Sequence, residues 1–323
     1  MRIAVLDDYQ GIAQGLADWN SITGAEVTFF HEAIAPEEMP ERLASFDVIQ
    51  MMRERTPIPA SVLRQLPSLK LLSGTGRRQP HVDGEEAGRL GIPVTGTDGA
   101  GDSTPELVWG LIIGVTRHIG WENQRMREGK WQTRLGVGLA GRTLGVLGMG
   151  RIGTKIAVSA QQTFGMNVIA WGPTLTAERA AASGATYVSW DELFSQADIL
   201  TIHVPLTDLS RGWVTEREFG LMQPSAFLIN TSRGPIVREE ALIRALCERR
   251  IAGAALDVYD VEPLPADHPL LALDTVLMTP HLGYATLDSL AAFYRNSVDN
   301  IKAWAAGEPM NVLNADSLRE PRR

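Results

Sequence analysis

Twice along this chain, short apolar runs alternate with helix-periodic segments, and that alternation leaves few folds open. The first series runs Ile3–Leu6, Val27–Phe30, Val48–Met52, Leu69–Ser73 and Pro93–Gly96, with helical patterns such as Pro36–Leu43 and Pro59–Leu66 between them. The second begins near Gly141 and runs Thr143–Leu147, Asn167–Trp171, Asp198–Val204, Ala226–Asn230, Ala252–Val258 and Thr275–Met278. Helical patterns such as Ile152–Phe164 and Arg238–Arg250 fill its gaps; Ile152, Ile156 and Ala160 share one helical face. Apolar runs this short read as strands buried on both faces, hence as parallel sheets with helices above and below. Two such α/β units fit 323 residues, more than one ordinary core holds. The patterns Thr104–Arg117 and Leu287–Ala306 link the halves, and the polar stretch Asn311–Arg323 has no period and reads as a loose tail.

Composition removes several function classes. A formal net charge of -8 argues against general affinity for nucleic acid or anionic membranes, so neither is expected as a partner. Apolar runs such as Val108–Val115 are too short to span a bilayer. Met1–Asp8 reads as a buried strand ending in acidic residues rather than a signal peptide, which points to a cytoplasmic protein. Cys247 is the only cysteine and reads as core filler on the apolar side of its helix. No Cys/His cluster or H-x-x-x-H pair has metal-ligand spacing, so no metal is expected. No G-x-S-x-G elbow marks a serine hydrolase.

Gly148-Met149-Gly150-Arg151-Ile152-Gly153 forms G-x-G-x-x-G between a strand run and a helical pattern, the context in which it carries meaning. Gly148 permits the tight turn, Gly150 lets backbone approach a pyrophosphate, and Gly153 lets the helix pack on the strand. The helix N-terminus then offers free N–H groups and partial positive charge to the phosphates. About 20 residues on, an acidic residue should hold the adenosine ribose. The strand ends in Gly172 and Pro173 instead. Thr174 offers a hydroxyl and Arg179 lies further on. NAD is the reading, with NADP left open.

Three segments then leave strands in succession: Asn230-Thr231-Ser232-Arg233-Gly234, Asp257-Val258-Tyr259-Asp260-Val261-Glu262-Pro263 and Thr279-Pro280-His281-Leu282-Gly283. In a doubly wound sheet, ligands collect at the C-terminal ends of the strands. Reducing a ketone with hydride requires a proton for the oxygen, which histidine supplies near neutral pH. A neighbouring carboxylate keeps the ring oriented and favours its charged form. A substrate carboxylate requires a fixed cation, and arginine binds carboxylate through two parallel bonds. Arg233, Glu262 and His281 make up that set.

With these motifs in order, the chain resembles the D-isomer-specific 2-hydroxyacid dehydrogenase family, from Arg53-Glu54-Arg55-Thr56-Pro57 through the glycine turn to Thr279–Gly283. The resemblance implies two doubly wound α/β domains. A Rossmann cofactor domain, 102–286, would be inserted into a split, flavodoxin-like substrate domain, 1–101 and 287–323. It implies hydride transfer between NAD(P)H and a small 2-keto acid, with His281 as acid/base, Glu262 as its partner and Arg233 as substrate anchor. Asp257 would face the nicotinamide carboxamide, and Thr104, Thr231, Ser232 and Gly283 would lie near the cofactor. Val204, Pro205 and Thr207 would line the adenine side; His203 beside them reads more readily as a satisfied structural histidine. Ser73-Gly74-Thr75-Gly76-Arg77 resembles the loop whose backbone N–H groups hold the substrate carboxylate, an anion nest. Arg77 and Arg78 either add charge there or face water. Substrate size would be set by loops such as Arg53–Thr56 and by Tyr284. Trp121–Leu139 matches a crossing arm, implying a homodimer. The alternative is a cofactor-sensing interaction protein like the C-terminal binding protein corepressors, which resemble these motifs too.

Overall fold

The computed structural model describes residues 1–98 and 103–319 and divides into two units, Met1–Gly101 with Ala285–Arg323, and Asp102–Tyr284. The boundary placed between 101 and 102 by sequence lies outside the described residues. In the discontinuous unit, β1 (Arg2–Val5), β2 (Glu26–Phe29), β3 (Val48–Met51), β4 (Leu71–Gly74) and β5 (Val94–Thr95) form one parallel sheet in the order β2-β1-β3-β4-β5. That is the flavodoxin-like order. Ile3 pairs with both Val27 and Val48, which places β1 inside the sheet and explains its apolar run. Ala4, Leu43, Ile49, Leu63, Leu72 and Val94 share one core. The helix Leu287–Ala305 packs against β4, burying Tyr294 edge-on to Trp19.

The tail is not loose over its described part. Val312 bridges Thr95, and Leu313 N–H donates to the Val94 carbonyl at 2.7 Å. Asn314 accepts from Val94 N–H at 2.9 Å and donates to the carbonyls of Ile92 and Gly84. An edge strand leaves backbone groups unpaired, and the backbone of Val312 and Leu313 with the Asn314 side chain satisfies them, a role that hydrophobic periodicity does not register. Residues 320–323 lie outside the described ones.

In the continuous unit, β6 (Thr143–Leu147), β7 (Asn167–Trp171), β8 (Thr186–Tyr187), β9 (Ile199–Ile202), β10 (Phe227–Asn230), β11 (Gly253–Leu256) and β12 (Val276–Met278) form a parallel sheet ordered β12-β11-β10-β9-β6-β7-β8. Read from the other end, β8-β7-β6-β9-β10-β11 is the 3-2-1-4-5-6 order of the dinucleotide-binding pattern, with the exposed pair Thr186–Tyr187 as its edge and β12 added at the far side. Both faces are covered. On β10, Leu228 belongs to one core, while Phe227 and Ile229 belong to the other. Burying each such side chain contributes about 1.5–3 kcal/mol. The chain order reverses between β7 and β9, so the turn after β6 sits at the switch point where ligands bind.

Cys247 is exposed, against expectation. Ala241, Leu242, Ala245 and Leu246 form the buried stripe of the helix Glu239–Cys247, and Cys247 lies one residue past it, about 100° around the axis. Among the described residues no helix is long and apolar enough to cross a membrane, and no group of three or more His, Cys, Asp or Glu is placed to hold a metal ion.

Candidate active site

The turn after β6 has the geometry its glycines require. Gly148 has φ +101, and a Cβ there would stand 2.7 Å from Val204 Cγ1 and 2.9 Å from the His203 backbone. A Cβ on Gly153 would lie 2.1 Å from the Gly148 carbonyl oxygen, so the helix packs this close to the turn only because residue 153 has no side chain. Gly150 has open space around its Cβ position and caps the helix Arg151–Phe164. Met149 is buried in the core, so only its backbone is offered to a ligand; Arg151 is exposed and Ile152 half-buried. Gly172, Pro173 and Thr174 follow β7, the latter two exposed.

Across the switch point, Val204 is buried, while Pro205 and Thr207 are exposed. Thr207 turns on Ser210, whose Oγ accepts its N–H at 2.8 Å. His203 Nε2 lies 2.9 Å from Thr201 Oγ1, and burial lowers its pKa to about 4, so it is a neutral, hydrogen-bonded histidine as the structural reading has it. Ser232 Oγ donates to the Val204 carbonyl, joining the loop after β10 to the loop after β9. The Thr231 hydroxyl is buried with no partner among the described residues. A buried hydroxyl left unmatched beside a glycine-lined opening suits a polar ligand. The open Gly150 surface, the helix N-terminus and this hydroxyl together fit a dinucleotide.

The loops after β10, β11 and β12 are physically joined. Asn230 Nδ2 donates to the Arg233 carbonyl at 3.0 Å, and Asn230 Oδ1 accepts from Ser232 N–H. Arg233 Nη1 donates to the Ser232 carbonyl at 2.6 Å. A Cβ on Gly234 would fall 2.1 Å from the Tyr259 carbonyl carbon, so this loop packs directly on the next. Glu262 receives Tyr259 N–H on Oε1 at 2.9 Å, and His281 Nδ1 lies 2.6 Å from Oε2. His281 itself is held at φ +53, a left-handed conformation that non-glycine residues adopt mainly where surrounding structure imposes it.

That surrounding structure is Asp257. Its Oδ1 accepts from Thr279 Oγ1 at 2.6 Å and Leu282 N–H at 2.7 Å, and its Oδ2 from Gly283 N–H at 2.8 Å. Burial nevertheless raises its pKa, the hydrogen bonds offsetting only part of the desolvation. The carboxylate read from sequence as facing a carboxamide is thus engaged on both oxygens by the His281 loop. Thr104 Oγ1 and Ser103 Oγ each donate to the Gly283 carbonyl at 3.0 Å, bracing the same loop. Tyr259 was missed by sequence reading. Its hydroxyl donates to the Leu256 and Thr279 carbonyls, tying β11 to the His281 loop while its N–H aims Glu262. An aromatic residue amid Asp257–Glu262 is the only sequence signal. The Tyr284 ring packs edge-on to His281 at 5.7 Å.

In the discontinuous unit, the proposed anion nest needs correction. Thr75 N–H donates to the Met51 carbonyl and Gly76 N–H to Thr97 Oγ1 at 3.0 Å, so neither is offered to a substrate. The sheet and its neighbouring loop take these donors first. Arg77 N–H carries no partner among the described residues, while its guanidinium is paired with Asp98 and solvent-exposed. Arg53, at φ +55, sends Nη1 into the space a Gly76 side chain would fill.

Residues 109–283 match the family model described as D-isomer specific 2-hydroxyacid dehydrogenase, NAD binding domain. The chain is 38% identical over 277 residues to a glyoxylate reductase of Aeropyrum pernix, covering 82% of each. It is 30% identical to a hydroxypyruvate reductase of Blautia hydrogenotrophica, over 97% of this chain and 100% of that protein. Its fold superposes on the crystal structure of a phosphoglycerate oxidoreductase from Vibrio cholerae with a TM-score of 0.90 at 37% identity, covering 95% of this chain and 99% of that one.

Proposed function

The chain belongs to the D-isomer specific 2-hydroxyacid dehydrogenase family, and from that premise we propose that it is an NAD-dependent oxidoreductase interconverting a small 2-keto acid, of the glyoxylate or hydroxypyruvate class, with the corresponding D-2-hydroxy acid. The single observation that carries the reading is the 2.6 Å contact between His281 Nδ1 and Glu262, on loops fixed by Asp257 and Tyr259 at the C-terminal ends of β11 and β12. The names of the relatives support the substrate class.

Gly148–Gly153 hold the pyrophosphate, Gly172, Pro173 and Thr174 border the adenosine ribose, and Val204, Pro205 and Thr207 border the adenine. Thr104, Thr231, Ser232, Asp257 and Gly283 border the nicotinamide end. The nicotinamide, when bound, supplies or accepts the hydride. His281 keeps Nδ1 on Glu262 and therefore carries the exchangeable proton on Nε2. In reduction it gives that proton to the keto oxygen; in oxidation it takes it back. Glu262, itself held by Tyr259 N–H, fixes the ring's tautomer and direction. Arg233 presents a forked donor to the substrate carboxylate and polarises the neighbouring carbonyl.

A homodimer is part of the proposal. The helix Ile119–Arg127 buries no residue, and Trp131 and Leu135 are 74% and 93% exposed. Yet the segment is internally ordered: Trp121 lies between the guanidinium groups of Arg125 and Arg134, and Glu122 accepts from the Thr133 and Arg134 N–H groups. An ordered arm with bare apolar side chains suits a second copy.

The test is a matrix of kcat/KM values for NADH and NADPH against glyoxylate, hydroxypyruvate, pyruvate and larger 2-keto acids. Turnover of at least one small 2-keto acid is expected. Tight cofactor binding with no turnover across the panel would reject the enzyme reading in favour of a cofactor-sensing interaction protein.

A further inference from the structure

Within the discontinuous unit, the helix Leu287–Ala305, the C-terminal tail and the end of β5 border a hollow of about 400 Å³. That volume falls in the range of small-molecule sites, about 300–1,000 Å³. Apart from Arg77, none of its lining residues belongs to the nucleotide or catalytic set. One wall is held firmly. Asn300 is fully buried; its Nδ2 donates to the Gly96 carbonyl at 2.8 Å and its Oδ1 accepts from Asn311 Nδ2 at 2.8 Å. The tail is fixed in turn by Gly96 N–H, which donates to the Asn311 carbonyl at 3.0 Å.

Three kinds of surface meet at this hollow. Asn296 and Asp299, one turn apart on the helix, place two acceptors side by side. Asn296 Nδ2 is used on the Asp98 carbonyl at 2.9 Å, but Asn296 Oδ1 and the Asp299 carboxylate accept from no side chain or N–H among the described residues. On a different element, Arg77 gives its Nε to Asp98, which leaves both terminal nitrogens without a partner among the described residues. Met310 and Leu313 supply apolar surface, 45% and 43% exposed, so a hydrocarbon group laid on them leaves water.

We propose that this hollow binds a small zwitterion, an α-amino acid with an aliphatic side chain. Its ammonium, a donor of three hydrogen bonds, meets Asp299 and Asn296 Oδ1. Its carboxylate takes the end-on edge of Arg77 through two parallel bonds. Its side chain lies on Met310 and Leu313. A simple anion meets the Asp299 charge and a simple cation meets that of Arg77, so ligands carrying one charge are disfavoured where the zwitterion is matched. Binding here is independent of the reaction proposed above.

L-valine, isobutylamine and isovalerate share one carbon frame and carry both charges, the ammonium alone and the carboxylate alone. Each is titrated by isothermal calorimetry into the parent, Asp299→Asn and Arg77→Gln proteins, with circular dichroism to verify folding. Valine binds the parent saturably, one per chain, and more tightly than either analogue by about fivefold or more. Asp299→Asn weakens valine and isobutylamine about fivefold, the upper range for an exposed ion pair. Arg77→Gln weakens valine by a similar factor and leaves isobutylamine unchanged. No saturable binding of valine up to its solubility limit overturns the proposal. So does an analogue that binds as tightly as valine, or a valine affinity untouched in Asp299→Asn.

Discussion

Replacing Glu262 by Gln separates the charge of that side chain from its shape. The parent carboxylate serves two donors at once, Tyr259 N–H at 2.9 Å and His281 Nδ1 at 2.6 Å. A glutamine has one acceptor oxygen. If that oxygen stays on Tyr259 N–H, the amide NH2 faces His281 Nδ1, and a ring protonated at both nitrogens meets a donor with a donor. The lost interaction is a hydrogen bond to a charged group, worth about 1.5–3 kcal/mol. His281 and Glu262 retain 21% and 31% side-chain exposure, which favours the lower half of that range. In keto-acid reduction, kcat/KM should therefore fall roughly 13- to 45-fold, with cofactor affinity unchanged. His281→Ala alone should lower kcat by about 10² to 10⁴. Because Glu262 acts through His281, the double variant should be no slower than His281→Ala. Steady-state kinetics of the parent and three variants, with circular dichroism to verify folding, make the test. A Glu262→Gln enzyme within about twofold of the parent, or losses that multiply in the double variant, would refute the coupling.

Asp257→Ala should orphan three donors, Thr279 Oγ1, Leu282 N–H and Gly283 N–H, at about 1–3 kcal/mol each, offset in part by removal of a buried charge. A net loss of about 3 kcal/mol is expected in denaturant unfolding, with kcat lowered because the His281 loop is no longer held. Gly153→Ala should lose dinucleotide binding in fluorescence titration and destabilise the protein by about 1–3 kcal/mol, since its Cβ meets the Gly148 carbonyl at 2.1 Å. Asp7 gives a pH prediction. Burial raises its pKa above the ordinary 3.8, so its contribution to stability is present at acid pH and is lost as pH rises through its folded value. Relative to Asp7→Asn, the parent should lose stability between the ordinary carboxylate range and neutrality; thermal melts over that span check the sign. Trp131→Ser with Leu135→Ser should lower the mass measured by light scattering to that of one chain, while the parent measures two.

The parts of the fold legible in sequence are those fixed by burial. Thr143–Leu147 and Asn167–Trp171 are read to the residue because each is an apolar run stopped by glycine. Thr186–Tyr187 is missed because a two-residue, exposed edge strand has no apolar period to detect. Glu262 and His281 are legible as chemistry, since ketone reduction demands an acid and a partner, and the structure sets them 2.6 Å apart. What escapes is the holding of that pair. Asp257 is a clamp, Tyr259 a double tie and the Gly76 N–H a structural donor through contacts between residues distant in sequence. A motif lists residue types, whereas a hydrogen-bond partner is decided by where the backbone brings it.

The discontinuous unit has a consequence for how the chain comes off the ribosome. Residues 1–98 emerge before Asp102–Tyr284, yet the helix that covers β4 and the asparagine that caps β5 are translated only after all of that unit. The nascent N-terminal sheet must therefore wait with an open edge and a bare apolar face while the neighbouring unit, contiguous in sequence, is free to fold as soon as it is made. Chaperone dependence and aggregation during synthesis should trace to that interval and to residues 1–98, rather than to the continuous unit.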